Sequence, residues 1–289
     1  MFHYVTDNFK YYHFDKGQFE ETIKKLIMSN NKIINLKVLK KLQEKNEIID
    51  NNYVLLTFDD GTIDHYKYVF PILKKYNVPG VFFICSNIFH KNVLNIQLIH
   101  QIFNKIDIDE FYFEIQNYIF KNNLIYKPQE IVNINLNNWK EKYIKRLLQT
   151  SLPVEHTKKI LEQLMNKYNI SNDFNKYYMS VENMLEMKNN NMEFGCHAST
   201  HNRLSNLCPN DQLNEVKENM DLLIENKLIT KKDILSIAYP FGDYNAKTID
   251  ILKSLNFEYA FTTKEESIYK INKYEMARYD CNILKRSKL

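Results

Sequence analysis

Apolar and polar positions fall along this chain in three regimes. Near the start, a short strand is predicted over 2–5. Asp15 then caps a helix over 17–29, on which Phe19, Ile23, Leu26 and Ile27 share one face. A second helix is predicted over 36–45 from Leu36, Leu39 and Leu42. The run YVLLTF (53–58) is apolar without alternation and ends at Asp59-Asp60-Gly61. Runs apolar on both faces suit buried parallel strands. A helix over 65–76 and a turn at Asn77-Val78-Pro79-Gly80 lead to a second such strand, GVFFIC (80–85).

The pattern then changes. From about 90 to 190 the chain reads as mostly helical and rich in Asn and Lys, with the aromatic stretch FYFEIQNYIF (111–120) and breaks at Pro128 and Pro153. Strand–helix alternation returns with EFGCH (193–197), a helix over 211–226 and ILSIAYP (234–240). A helix over 245–255, YAFTT (259–263) and MARYD (276–280) complete it. Strands alternating with helices argue for βαβ units and a parallel sheet. The block at 90–190 reads as a helical insertion within one α/β domain spanning 1–289.

Composition narrows the classes. A length of 289 residues sets a soft prior of roughly two domains, which the strand order replaces with one interrupted domain. Lys+Arg number 39 against 35 Asp+Glu, a net charge of +4, too small and dispersed for a nucleic-acid partner. Cys85, Cys196, Cys208 and Cys281 form no CxxC pair, which fits neither a disulfide scaffold nor a structural zinc site and points to a reducing compartment. The opening residues lack a signal-peptide pattern, so a cytoplasmic location is expected. No apolar run is long enough for a transmembrane segment. Glycine is scarce: 5 residues, where average usage gives about 20.

Candidate chemistry gathers after three of the apolar runs: Thr57-Phe58-Asp59-Asp60-Gly61, His197-Ala198-Ser199-Thr200-His201 and Tyr239-Pro240-Phe241-Gly242-Asp243. Parallel α/β folds collect ligand groups at the carboxyl ends of their strands, so clusters far apart in sequence can meet. One carboxylate and two imidazoles make a three-ligand metal site with a position left for water, and a second carboxylate can take a proton from that water. Each cluster alone has a plainer reading. Asp-Asp-Gly is a common turn, a His pair four apart is usually a surface pair, and Tyr-Pro-x-Gly is a turn. All three in order, each ending a buried strand, are harder to assign to structure alone.

Those motifs resemble the polysaccharide deacetylases, the NodB-homology domain of carbohydrate esterase family 4. Thr57-Phe58-Asp59-Asp60-Gly61 is similar to that family's first motif, His197 and His201 to its second, and Ala238-Tyr239-Pro240-Phe241-Gly242 to its third in the branch reading Tyr-Pro-x-Gly. Phe2-His3-Tyr4-Val5 resembles the Tyr-His element that opens this branch. The resemblance covers about 1–90 and 180–280. It implies a distorted (β/α)7-type barrel with parallel strands and a helical insertion. It implies metal-dependent removal of an acetyl group from an N-acetylated sugar of a glycan or glycan precursor, by attack of metal-bound water. The ion would be divalent, Zn2+ first, with Co2+, Ni2+ and Mn2+ as alternatives. Asp60, His197 and His201 would be its ligands and Asp59 the general base. The Phe241 N–H would hold the oxyanion together with the metal, and Tyr239, Pro240 and Gly61 would lie against substrate.

The departures from the family pattern matter. Ala198 stands where Ser or Thr is usual, and Ala238 where many members place an Arg that steadies the base; Arg278 is the best substitute. No histidine follows His201, so the general acid falls to His3. His65 reads as a helix-start residue; His90, His100 and His156 as structural or surface residues; Cys196 as a small buried hydrophobe. The aromatics at 111–120 and Trp139 read as core of the insertion before sugar platforms. Two alternatives stand beside the deacetylase: a deformylase, O-acetyl esterase or other C–N hydrolase using the same site, and a glycan-binding pseudoenzyme that keeps its metal.

Overall fold

The computed structural model describes residues 1–7, 13–45, 52–125, 139–266 and 272–281. Local rules set the first elements. β1 (Tyr4–Val5) pairs in parallel with β2 (His13–Phe14). Asp15 accepts the Gln18 N–H while the Gln18 side chain accepts the Asp15 N–H, a capping box that starts α1 (Lys16–Met28) and buries Phe19 and Ile23. β3 (Lys32–Ile34) leads to α2 (Leu36–Glu44), capped by Asn35, with Leu36, Leu39 and Leu42 inward. β4 (Tyr53–Leu55) pairs in parallel with β3.

The predicted strand over 53–58 is therefore two strands, β4 and, after Leu56, β5 (Thr57–Phe58). β4 pairs with β3, whereas β5 pairs with β6 (Val81–Ile84), so one apolar run serves two sheets. β5, β6, β7 (Glu193–Cys196), β8 (Ser236–Ala238) and β9 (Tyr259–Phe261) form one parallel sheet in sequence order. It curls into a half-barrel with helices around it, the α/β barrel class expected. β6 is buried at every residue, as its unbroken apolar run requires. Single-residue bridges, Phe2 with Phe58 and Phe261 with Met276, extend pairing at both ends.

The predicted strand at 276–280 is reduced to that bridge. After Met276 the Arg278 N–H turns to Lys264 O, and the Arg278 side chain goes inward. The predicted helix at 65–76 is a five-residue π turn, His65–Val69, followed by α3 (Phe70–Lys75). Pro71 supplies the reason: it has no N–H for an i→i−4 bond, so the chain widens to Phe70 N–H bonding His65 O.

Two compact units result. Val93–Phe174 is helical, with α4 (Asn95–Lys105), α5 (Ile108–Lys121), α6 (Trp139–Arg146) and α7 (Val154–Lys167) around Ile102, Phe111, Ile115, Ile144 and Leu161. Tyr112, Trp139 and Tyr143 meet edge to face or tilted within that unit. The other unit, Met1–Asn92 with Asn175–Leu289, carries the sheet. The helical unit is narrower than 90–190 because residues 177–179 are tied to the loop after β5: Ile63 N–H bonds Tyr177 O, and Met179 N–H bonds Gly61 O. α8 (Val181–Asn189), α9 (Pro209–Glu225) and α10 (Ala246–Ser254) belong to the sheet-bearing unit. Among the described residues no helix is long and apolar enough to cross a membrane.

Candidate metal centre and catalytic residues

Since β5, β7 and β8 run parallel, the loops leaving their carboxyl ends emerge on one edge of the sheet. Asp59 and Asp60 follow β5. Asp60 and Gly61 both take positive φ, 75° and 71°, a sharp reversal that separates two adjacent carboxylates. His197 follows β7, and the left-handed residues Ala198 (φ 59°) and His201 (φ 61°) curl the chain so that His201 returns beside it.

Asp60 Oδ1 lies 3.4 Å from Nε2 of both His197 and His201. The three ligand atoms fall within 4.8 Å of one another, and all three residues are buried. That oxygen has no hydrogen-bond partner in the protein, an expensive position for a buried carboxylate oxygen. His197 Nδ1–H donates to Ala238 O at 2.7 Å, which leaves the Nε2 lone pair facing Asp60. Burial favours a neutral His201 over the pull of Asp60 and holds it at about 4, the state that can ligate. His197 is pushed down by burial but pulled further up by Asp59 and Asp60. Burial opposes ionisation of Asp60, yet the close approach of His197, together with His201 and His3, holds it below the usual carboxylate range. One oxygen and two nitrogens aimed at one point fit a divalent ion with an open position.

Asp59 sits beside this cluster in a different setting. Arg278 donates to both its oxygens at 2.8 Å, and Arg278 Nε donates to Thr262 O at 2.9 Å. Burial raises the Asp59 carboxyl, but Arg278 and His197 outweigh it and hold the group at about 2. His3 Nε2 stands 3.9 Å from Asp59 Oδ2 with its side chain 35% exposed. Its carbonyl accepts from the buried His65 Nε2 at 2.9 Å, so His65 does more than open a helix.

The third loop brings Phe241 to the cluster, its ring edge-on to His201 at 4.5 Å. Phe241 is left-handed at φ 58°. Its N–H is not spent in the turn, whose bonds run from Gly242 N–H to Tyr239 O and from Asp243 N–H to Pro240 O. Tyr239 is placed otherwise than as a substrate contact: it is fully buried, donates its hydroxyl to Tyr274 O at 3.0 Å and stacks on Tyr244. Pro240 is buried in the turn as well. At Gly61 an added Cβ would meet Ile84 at 3.1 Å, so this residue packs inward. Asp243 accepts from Ser205 N–H and Oγ, tying the third loop to the second. Sequence reasoning named Asp243 in the third cluster without giving it a role, and passed over Asn219 and Glu215. No sequence signal marked Glu215 or Asn219, whose contacts depend on how α9 docks against the His loop.

A sequence model of the family described as polysaccharide deacetylase matches residues 47–134 and 150–260, more than half of the chain. The chain belongs to that family. No curated protein sequence matches it. Among solved structures it is similar to the Streptococcus pyogenes deacetylase PplD in complex with acetate, at 18% identity and TM-score 0.59, covering 99% of this chain and 95% of that one. It is also similar to IcaB from Ammonifex degensii, at 16% identity and TM-score 0.58, covering 96% and 88%. A de-N-acetylase from Aggregatibacter actinomycetemcomitans matches at 15% identity and TM-score 0.59, covering 96% and 92%. At these identities the structures speak for a shared fold. The family's barrel thus carries Asp59, Asp60, His197, His201, Phe241 and Arg278 to one edge of the sheet.

Proposed function

We propose that this polysaccharide deacetylase family member is a metal-dependent hydrolase that removes the acetyl group from an N-acetylated sugar of a glycan or glycan precursor. The observation that carries the reading is the orphaned Asp60 oxygen aimed between two imidazole nitrogens, next to a carboxylate held ionised by Arg278. Asp60, His197 and His201 would hold the ion. When bound, it supplies a Lewis acid for the acyl oxygen and lowers the pKa of water to about 7.

This chain's residues do the rest. Asp59 takes a proton from the attacking water, and the two-pronged Arg278 contact keeps it ionised and fixes its direction. The unspent Phe241 N–H can donate a hydrogen bond to negative charge growing on the acyl oxygen. His3, partly exposed and 3.9 Å from Asp59, gives a proton to the leaving nitrogen and regains one from solvent. The acetate bound to the structurally similar PplD favours acetyl over formyl as the group removed.

The test is an acetate-release assay with metal-loaded protein over acetylated glucosamine oligomers, peptidoglycan fragments and lipid-linked acetamido sugars. Acetate release, abolished in Asp59→Asn with metal retained, is the expected result. Formate release, or loss of O-acetyl groups alone, would move the activity to another hydrolase class. Metal uptake with glycan binding and no hydrolysis would make the chain a pseudoenzyme.

A further inference from the structure

Helix α9 presents three polar side chains to the loop that joins the two histidines. Glu215, Glu218 and Asn219 are spaced i, i+3 and i+4 and so share a face. Asn219 is fully buried; it accepts the His197 N–H at 2.8 Å and donates to Ile84 O at 2.9 Å. One oxygen of Glu215 accepts two successive backbone N–H groups, Ser199 at 2.9 Å and Thr200 at 2.8 Å, while its other oxygen accepts the Thr200 hydroxyl. Glu218 accepts the Ser199 hydroxyl at 2.9 Å.

These bonds satisfy the loop's N–H groups, while its carbonyls at Ala198 and Ser199 accept from the Ser86 and Asn87 N–H groups. β7 ends at Cys196, and both Ala198 and His201 lie in the left-handed region, a strained conformation for a residue with a side chain. The two rings are also held differently. His197 is oriented through its own Nδ1–H to Ala238 O. For His201 the ring contacts are its approach to Asp60 and its edges against His197 and Phe241. Its direction is therefore inherited from the loop backbone, and the charged acceptor of that backbone is Glu215.

We propose that Glu215 is a positioning residue for the metal centre: its carboxylate pins the loop at 199–200, so that His201 presents Nε2 to the same point as His197 and Asp60. The role rests on the metal-site reading above. It concerns ion affinity and coordination geometry, and hydrolysis does not enter its test. Charge-assisted bonds from one carboxylate to adjacent N–H groups are strong and directional, and outer-shell partners of ligands are worth ten- to a hundred-fold in metal affinity.

The experiment titrates Co2+ into the metal-free full chain and follows the visible absorption of the bound ion. It compares wild type, Glu215→Ala and Glu215→Gln, each checked for folding by circular dichroism. Glu215→Ala is expected to weaken Co2+ binding by roughly ten- to a hundred-fold and to change the spectrum. Glu215→Gln keeps the volume and one acceptor oxygen, so it should recover part of the affinity and stay several-fold weaker than wild type. If Glu215→Ala does not fold, Glu215→Gln carries the test by itself. Folded variants with wild-type affinity and spectrum would overturn the positioning role alone and leave the metal site standing. A wild-type chain that takes up no Co2+ would overturn the metal-site reading and this role with it.

Discussion

Asp59 and Asp60 are neighbours in the chain with opposite arrangements of hydrogen bonds. Both Asp59 oxygens are taken by Arg278, whereas Asp60 Oδ1 has no protein partner. The left-handed turn at Asp60 is what lets two adjacent carboxylates face different partners. Asp60→Asn should therefore fold and lose the ion, since a neutral amide is a weak ligand for Zn2+; metal content after dialysis reads the loss, and full retention would count against Asp60 as ligand. Removing Arg278 acts on the other carboxylate. In Arg278→Met the buried Asp59 charge loses its partner, and about 3–5 kcal/mol of stability should go with it, read by urea unfolding. The sign for activity follows from linkage. Arg278 holds Asp59 at about 2, so without it the carboxyl rises and the acid limb of the kcat profile moves to higher pH. Stability and acid limb both unchanged would remove Arg278 from this role. In Arg278→Met with Asp59→Asn much of the stability should return, because no buried charge is left unpaired.

At the scale of elements, the turn after β8 shows how tightly the site is built. Phe241 and Gly242 are consecutive left-handed residues, and a Cβ on Gly242 would lie 2.2 Å from Thr263 Oγ1 and 2.7 Å from the Thr263 backbone nitrogen. The hydroxyl can rotate away, but the backbone nitrogen cannot. Gly242→Ala is thus expected to cost roughly 2 kcal/mol or more. Thr263→Ala should rescue little of it; a double variant restored to wild-type stability in thermal unfolding would contradict the backbone clash. Gly242 is one of only 5 glycines in the chain. The strand over 80–85 was legible because a strand buried on both faces must be apolar throughout. Where pairing partners decide, the pattern was silent: nothing in YVLLTF marks Leu56 as the change between two sheets, and nothing in MARYD shows the ladder ending at Met276. Metal-ligand candidates could be read because ligation demands particular side chains. Glu215 could not, because accepting backbone N–H groups needs only a carboxylate in the right place, which the docking of α9 alone decides.

Over the whole molecule, burial of ionisable groups sets how stability changes with pH. His65 is fully buried against Phe58 and Phe82, and burial outweighs its bond to His3 O to hold it at about 4. His201 is held at about 4 as well when no ion is bound. Unfolded, each would take a proton near 6.5. Between about 6.5 and about 4 the unfolded chain therefore binds more protons, and stability falls as pH falls. Asp64 works the other way: burial raises it to about 7, so below that pH the folded chain binds the extra proton and regains stability. His197, raised in the fold, contributes stability that is present at low pH and lost as pH climbs above about 6.5, outside this window. Among these groups, two histidines against one carboxyl differ by about one proton in metal-free protein, close to 1.4 kcal/mol per pH unit near pH 5.5. His65→Gln can keep an N–H for His3 O while removing the titration. Its stability should accordingly fall less steeply than wild type over the same window, by up to about 1.4 kcal/mol per pH unit, measured by urea unfolding of chelator-treated protein at half-unit steps from pH 4.5 to 6.5. A variant that keeps the full wild-type slope would show that His65 is not held neutral by the fold.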